Sequence, residues 1–162
     1  MRIAHIDYND VANTESGMTL SVWFQGCPHK CPGCHNPETW DFLGGEEYTT
    51  EQLLDEVSEH LWDNGIKRSL SLLGGEPLAE PNREAAAKLC FYIKRFFPST
   101  IIYVWTGYEM DELIAMEDEN IDTIIKYCNV LCTGRFELDK RDITLPLVGS
   151  TNQRVLYKGK DF

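Results

Sequence analysis

The run Cys27-Pro28-His29-Lys30-Cys31-Pro32-Gly33-Cys34 puts three thiols into eight residues, spaced by three residues and then by two. Thiolates this close together are metal ligands. Their spacing differs from both halves of the paired C-x2-C pattern of a structural zinc site. Three thiolates can hold three irons of a cubane 4Fe-4S cluster, leaving the fourth iron open for a ligand that is not protein. The same run also suits a zinc knuckle completed by His29 or His35, and the spacing alone leaves both chemistries open.

A second run follows downstream, where the alternating segment Ser69-Leu70-Ser71-Leu72-Leu73 leads into Gly74-Gly75-Glu76-Pro77. Glycines at a strand end let a ligand approach the backbone, whose N–H groups can meet a carboxylate, and Glu76 can accept hydrogen bonds from a protonated amine. By itself such a pair also makes an ordinary turn. Cysteine loop and glycine run together, in this order and each just after a predicted strand, resemble the radical S-adenosylmethionine (SAM) superfamily. The resemblance implies that the amino and carboxylate groups of the methionine part of SAM chelate the open iron. It further implies that the reduced cluster donates one electron, breaks a carbon–sulfur bond and releases a 5'-deoxyadenosyl radical. The protein's share of such chemistry is placement, electrostatics and the exclusion of side reactions.

These motifs need a scaffold, and the periodicities supply one. Thr19 to Gln25 is β-rich and runs straight into the cysteine loop. A helix is predicted over about Thr50 to Asn64, with Leu53, Leu54, Val57 and Leu61 on one face, a capping box from Thr49 and Gln52, and a stop at Gly65. Ser69 to Leu73 reads as a strand, Asn82 to Phe97 as a helix ending before Pro98, and Ile101 to Trp105 as an apolar strand. Thr106-Gly107-Tyr108 then turns into one acidic helix carrying Met110, Leu113 and Ile114. Asn129 to Cys132 is a further strand, and a last one lies near Val155 to Tyr157. Alternating strands and helices imply a mostly parallel α/β sheet. A closed eight-unit barrel needs at least about 200 residues, so 162 residues with three or four βα units predict an open, truncated partial (β/α) barrel in a single domain over residues 1–162. The cysteine loop, Gly74 to Pro77 and Thr106 to Tyr108 all fall at the C-terminal ends of strands, where such folds carry their sites.

Further ordered runs narrow the resemblance: Gly26-Cys27-Pro28-His29, Asn36-Pro37-Glu38-Thr39-Trp40, Trp105-Thr106-Gly107-Tyr108, Asn129-Val130-Leu131 with Gly134, and Gly149-Ser150-Thr151-Asn152-Gln153-Arg154. Within the superfamily, the stretch Gly17 to Arg154 is similar to the activating proteins of anaerobic (class III) ribonucleoside-triphosphate reductase. That resemblance implies Cys27, Cys31 and Cys34 as the catalytic cluster ligands. It implies Gly33, Cys34, His35, Gly74, Gly75, Glu76, Thr106 and Asn152 against SAM. Its partners would be the large glycyl-radical subunit of the reductase and a low-potential electron donor such as flavodoxin. A homodimer stays open. The chain departs from the family at Thr14-Glu15-Ser16-Gly17 and Thr19, where relatives have Asn-Gly-Pro-Gly and then an arginine, and at Thr133, where they have an acid. Trp105 and Tyr108 read as adenine neighbours or as packing, and Cys90, Cys128 and Cys132 as buried structural thiols, the latter two on one strand face if the strand reaches that far.

Composition bounds the rest. A net charge of −11 argues against holding nucleic acid through its phosphates. The acidic stretches Glu46 to Asp63 and Glu109 to Asp122 read as solvated helix faces. No apolar run reaches the length of a membrane span, and Met1 to Asp7 lacks the apolar core of a secretory signal, so the expectation is a cytoplasmic protein whose cysteines are ligands rather than disulfides. A barrel this short has no spare segment to cover a small substrate. That points to a substrate glycine in another polypeptide, brought in by the partner itself.

Overall fold

The computed structural model describes all residues from Met1 to Phe162. Seven strands form one open sheet: β1 (Arg2–Asp10), β2 (Thr19–Phe24), β3 (Glu46–Glu47), β4 (Ser69–Gly74), β5 (Ile102–Trp105), β6 (Val130–Thr133) and β7 (Arg154–Tyr157). Their spatial order is β3-β1-β2-β4-β5-β6-β7. The four central strands β2, β4, β5 and β6 run parallel, while β1, β3 and β7 are antiparallel additions at the two margins. Helices α1 (Thr50–Leu61), α2 (Glu80–Phe96), α3 (Met110–Ala115) and α4 (Glu119–Tyr127) fill the three crossovers between the parallel strands.

Strand alternation sorts the side chains onto two faces. Leu20, Val22 and Phe24 of β2, Leu70 and Leu72 of β4, Ile102 and Val104 of β5, and Leu131 of β6 meet the helices in one cluster of 24 buried residues. Each such burial stabilises the fold by roughly 1.5–3 kcal/mol. The helices answer with Leu53, Val57 and Leu61 on α1, Leu89 and Ile93 on α2, and Ile121 and Ile124 on α4. The opposite face is polar towards one end. There Thr19 and Ser71 pair through their hydroxyls at 2.8 Å, Ser71 donates to the Asn13 carbonyl at 2.6 Å, and Ser21 donates to Asp10 at 2.6 Å. The loop between β1 and β2 therefore packs against this polar end of the face. Burial works against the Asp10 charge, but hydrogen bonds from Ser21, Asn13 and the Ala12 backbone outweigh it and hold the carboxyl below its ordinary pKa. Towards the other end the same face turns aromatic, with Tyr103 and Trp105 stacked at 6.1 Å.

Five features differ from the sequence pattern for identifiable reasons. Helix α2 begins at Glu80, with Pro81 in its first turn, because Asn82 is drawn inside to hydrogen-bond two carbonyls instead of capping. The acidic helix after β5 is two helices: Glu117 takes a left-handed φ of 48°, and Asp118 restarts the chain by accepting from Asn120 and Ile121 N–H. Strand β1 has no clean alternation because register shifts between Ile3 and His5 and between Asp7 and Asp10 interrupt it. Glu46 and Glu47, read as part of a helix face, instead form β3 against Arg2 and Ile3, where Arg2 approaches Glu47 at 3.8 Å. Cys128 caps α4 rather than lying on β6 with Cys132.

Candidate active site

The cysteine loop leaves β2 through Gln25 and Gly26 and returns through a 3-10 turn at Pro37–Thr39. Its two ends are tied together: Gly26 N–H donates to the Thr39 carbonyl at 2.8 Å and Cys27 N–H to that of Trp40 at 3.2 Å. Buried Gln25 adds two bonds from its Nε2, to the Glu38 carbonyl at 3.1 Å and the Asp41 carbonyl at 2.7 Å. Inside the loop, Cys34 N–H donates to the Cys31 carbonyl at 3.0 Å, and Cys34 Sγ accepts from Asn36 N–H at 3.4 Å. The loop thus has internal order of its own, and the Asn36 to Trp40 run is what closes it.

All three loop thiols open onto one cavity of about 780 Å³, within the size range of clefts that hold cofactors. The strand ends supply the rest of the wall: Trp23 from β2, Leu73 to Glu76 from β4, Trp105 to Gly107 from β5, and Gly134 and Arg135 after β6. The segment from Phe136 to Gly149 folds back over the far side, anchored where Trp105 Nε1 donates to the Leu147 carbonyl at 2.7 Å. Gln153 pins that segment down by accepting from the Gly149 and Ser150 N–H groups at 3.0 and 3.1 Å and donating to the Gly134 carbonyl at 2.9 Å. Arg135 forms a two-pronged pair with Glu112, at 2.9 and 3.0 Å, and lies 5.8 Å from the Tyr108 ring.

The 4Fe-4S single cluster domain family matches residues 14–156. The Escherichia coli K12 anaerobic ribonucleoside-triphosphate reductase-activating protein is 39% identical over 140 residues, covering 86% of this chain and 88% of the relative. The Vibrio cholerae protein of that name is 37% identical, covering 89% and 90%, and the phage T4 protein is 34% identical, covering 86% and 83%. The chain belongs to the anaerobic ribonucleoside-triphosphate reductase-activating protein family. Its cysteine loop fits the 4Fe-4S cluster of that single cluster domain: Cys27, Cys31 and Cys34 are all free thiols and all face the same cavity. A cubane asks for one thiolate on each of three irons.

In this activating-protein family member, Gly33, Cys34, His35, Gly74, Gly75, Glu76 and Thr106 line the cavity together with Cys27 and Cys31. Asn152 is not among the lining residues. It stands behind them, its Nδ2 donating to the Arg135 carbonyl at 2.8 Å. Among the lining residues that the sequence reading passed over are Asn13, Arg135, Phe136 and Gln153. Gln153 had a usable signal, since it sits in the quoted Gly149 to Arg154 run, and Arg135 directly follows the strand-end Gly134. Asn13 had none, because only the long-range contact of its loop with Ser71 carries it to the cavity.

Burial pushes the Cys27 thiol up to about 11, and burial also raises Cys31. To bind iron both would have to lose their protons, which cluster assembly at this loop would release. In the cluster-free protein at pH 8, iodoacetamide is expected to label half-buried Cys31 and Cys34 well before Cys27, whose thiolate is only about a thousandth populated three pH units below its pKa. Labelling of Cys27 should climb about tenfold per pH unit. Cys90, Cys128 and Cys132, buried and with thiols raised by that burial, should stay unlabelled until the protein unfolds. Peptide mass spectrometry reads the order directly, and Cys27 labelled first would contradict it.

Proposed function

We propose that this protein is a glycyl-radical activase that cleaves SAM reductively at a 4Fe-4S cluster and places a glycyl radical on anaerobic ribonucleoside-triphosphate reductase. One observation carries this reading: the three cluster thiols and the Gly74 to Glu76 strand end, 40 residues or more apart in sequence, line a single cavity. The open sheet is then a truncated barrel of the radical SAM type, and the whole chain works as one domain. When bound, the reduced cluster and SAM supply one electron and a 5'-deoxyadenosyl radical able to take a Cα hydrogen.

The chain's own residues hold and shield. Cys27, Cys31 and Cys34 hold the cluster, while Gly33, Gly74 and Gly75 present their backbone to the methionine part of SAM in the same cavity. His35, exposed at the rim, and Thr106, buried beside β5, complete the SAM wall. Asn152 contributes through the Arg135 carbonyl that it holds. Trp23 and Trp105 keep water from the inner wall. At the outer side Leu138 and Ile143 line the cavity yet remain 55% and 78% exposed, an apolar lip that a partner's loop can cover. A glycine suits the incoming loop because its lack of a side chain lets the peptide enter and leaves Cα open. The electron comes from a low-potential donor of the flavodoxin kind. The compartment is the cytoplasm, consistent with six free cysteines and with no helix long and apolar enough to cross a membrane.

The test is isotopic. The large reductase subunit labelled with α-deuterated glycine, incubated with this protein, SAM and a reductant, is expected to pass deuterium into 5'-deoxyadenosine and to show a glycyl radical in electron paramagnetic resonance. Unlabelled deoxyadenosine with no glycyl signal would mean a different substrate.

A further inference from the structure

One side-chain contact joins the cysteine loop to the glycine motif. His29 Nε2 donates to Glu76 Oε2 at 2.9 Å, and the two side chains are only 6% and 1% exposed. The same Oε2 accepts from the Gly107 N–H at 2.7 Å, and Oε1 accepts from the Leu78 N–H at 2.9 Å. A single carboxylate therefore gathers the cysteine loop, the turn after β4 and the turn after β5. The fit around His29 is close: a Cβ on Gly107 would stand 2.3 Å from the imidazole Cδ2, and Tyr108 meets the ring edge-on at 4.5 Å between centroids.

A carboxylate offers about four acceptor sites, and protein donors already take three of those on Glu76 in a place closed to water. Turning that group outward would strand buried N–H donors, each costing about 1–3 kcal/mol. The backbone of Glu76 is held as firmly. Its N–H donates to the Gly26 carbonyl at 2.9 Å, and Asn82 Nδ2 bridges the Glu76 and Gln25 carbonyls at 3.0 Å each. Those backbone bonds fix the root of the cysteine loop. His29, two residues beyond Cys27, fixes its span.

We propose that His29 is a positioning residue and Glu76 its clamp: their contact sets the cysteine loop, and with it the open side of the cluster, in register with the Gly74 and Gly75 backbone. Glu76 then serves SAM by holding these loops rather than by touching it. This inference rests on the SAM-cleaving activity proposed above. Because the loop's ends are tied by Gly26, Cys27, Thr39 and Trp40 without any help from His29, loss of the imidazole leaves the three thiols related to one another. What it disturbs is their relation to the SAM site.

The experiment compares full-length, anaerobically reconstituted wild type, His29→Ala and His29→Gln. Iron and sulfide content, the Tm, SAM affinity by calorimetry and the paramagnetic resonance spectrum of the reduced cluster with and without SAM are measured on each. His29→Ala is expected to keep its cluster while binding SAM roughly 10–100-fold more weakly, the loss of a charge-assisted hydrogen bond, and to show a diminished SAM-induced spectral change. His29→Gln, whose amide N–H can reach the same carboxylate, is expected to recover most of both. Unchanged SAM affinity and spectrum in His29→Ala would overturn the proposal. So would loss of the cluster in that variant, which would make His29 part of the cluster's own binding. A His29→Gln protein of wild-type Tm that behaves like His29→Ala would also overturn it, since ring packing rather than the hydrogen bond would then matter. Wild-type protein that holds its cluster but does not bind SAM would sink the proposed activity, and this inference with it.

Discussion

Cys31→Ala is expected to reduce SAM cleavage to background, and Cys27→Ala and Cys34→Ala to do the same. Each thiolate of a three-cysteine cubane binds a different iron, so removing one leaves two irons without protein ligands and loosens the cluster or fills its open place. No other cysteine can step in. Cys90, Cys128 and Cys132 are buried in the hydrophobic clusters at 1% exposure or less, and none of them lines the cavity. Absorption in the iron–sulfur region and iron content should fall in each variant, and 5'-deoxyadenosine should be absent by chromatography. Turnover retained by any of the three would contradict the ligand set. Wild-type protein carrying stoichiometric zinc and no iron–sulfur absorption would remove the cluster altogether.

How much of this arrangement could be read from the chain depends on how local each determinant is. The thiols, the glycine pair and the Thr49–Gln52 capping box are local, and the box is present as read. Strands β2, β4, β5 and β6 were legible because buried parallel strands are short apolar or alternating runs bounded by turn residues. β1 was not, since its bulges break the alternation, and β3 is two glutamates whose pairing is decided by Arg2 and Ile3 more than 40 residues away. The site shows the same division. Gly33 and Gly75, both in the cavity wall, could be singled out from their motifs. The roles of Gln153 and Asn82 could not, because each depends on carbonyls brought close only by the folded sheet. Glu76 is the sharpest case. As a residue type it suits a protonated amine, yet in the fold its carboxylate faces His29, Gly107 and Leu78.

Gly75→Val is the substitution for which structure and motif give different expectations. Read from the motif, a branched side chain at this strand end blocks SAM and spares the cluster. In the fold a Cβ on Gly75 would lie 2.6 Å from the Gly26 carbonyl oxygen, 2.9 Å from its carbon and 2.9 Å from the Thr39 carbonyl oxygen. These are backbone atoms at the two ends of the cysteine loop, and neither end can rotate away as a flexible side chain would. The loop is closed there by the 2.8 Å bond from Gly26 N–H to the Thr39 carbonyl, while Gly75 N–H is itself bonded to the Phe24 carbonyl at 2.8 Å. Making room for the new atoms pushes the loop ends off the strand and moves the thiols with them. Overpacking of this kind costs about 1–3 kcal/mol, which corresponds to a Tm lower by roughly 2–12 °C in a domain of this size. Gly75→Val is therefore expected to lose iron as well as SAM binding, and Gly75→Ala, which already carries the offending Cβ, to show the same pair of defects in milder form. Iron content, Tm and anaerobic SAM titration of the two variants decide the matter. A Gly75→Val protein with a full cluster, wild-type Tm and no SAM binding would restore the simpler blocking role and show that the loop ends yield more easily than their hydrogen bonds imply.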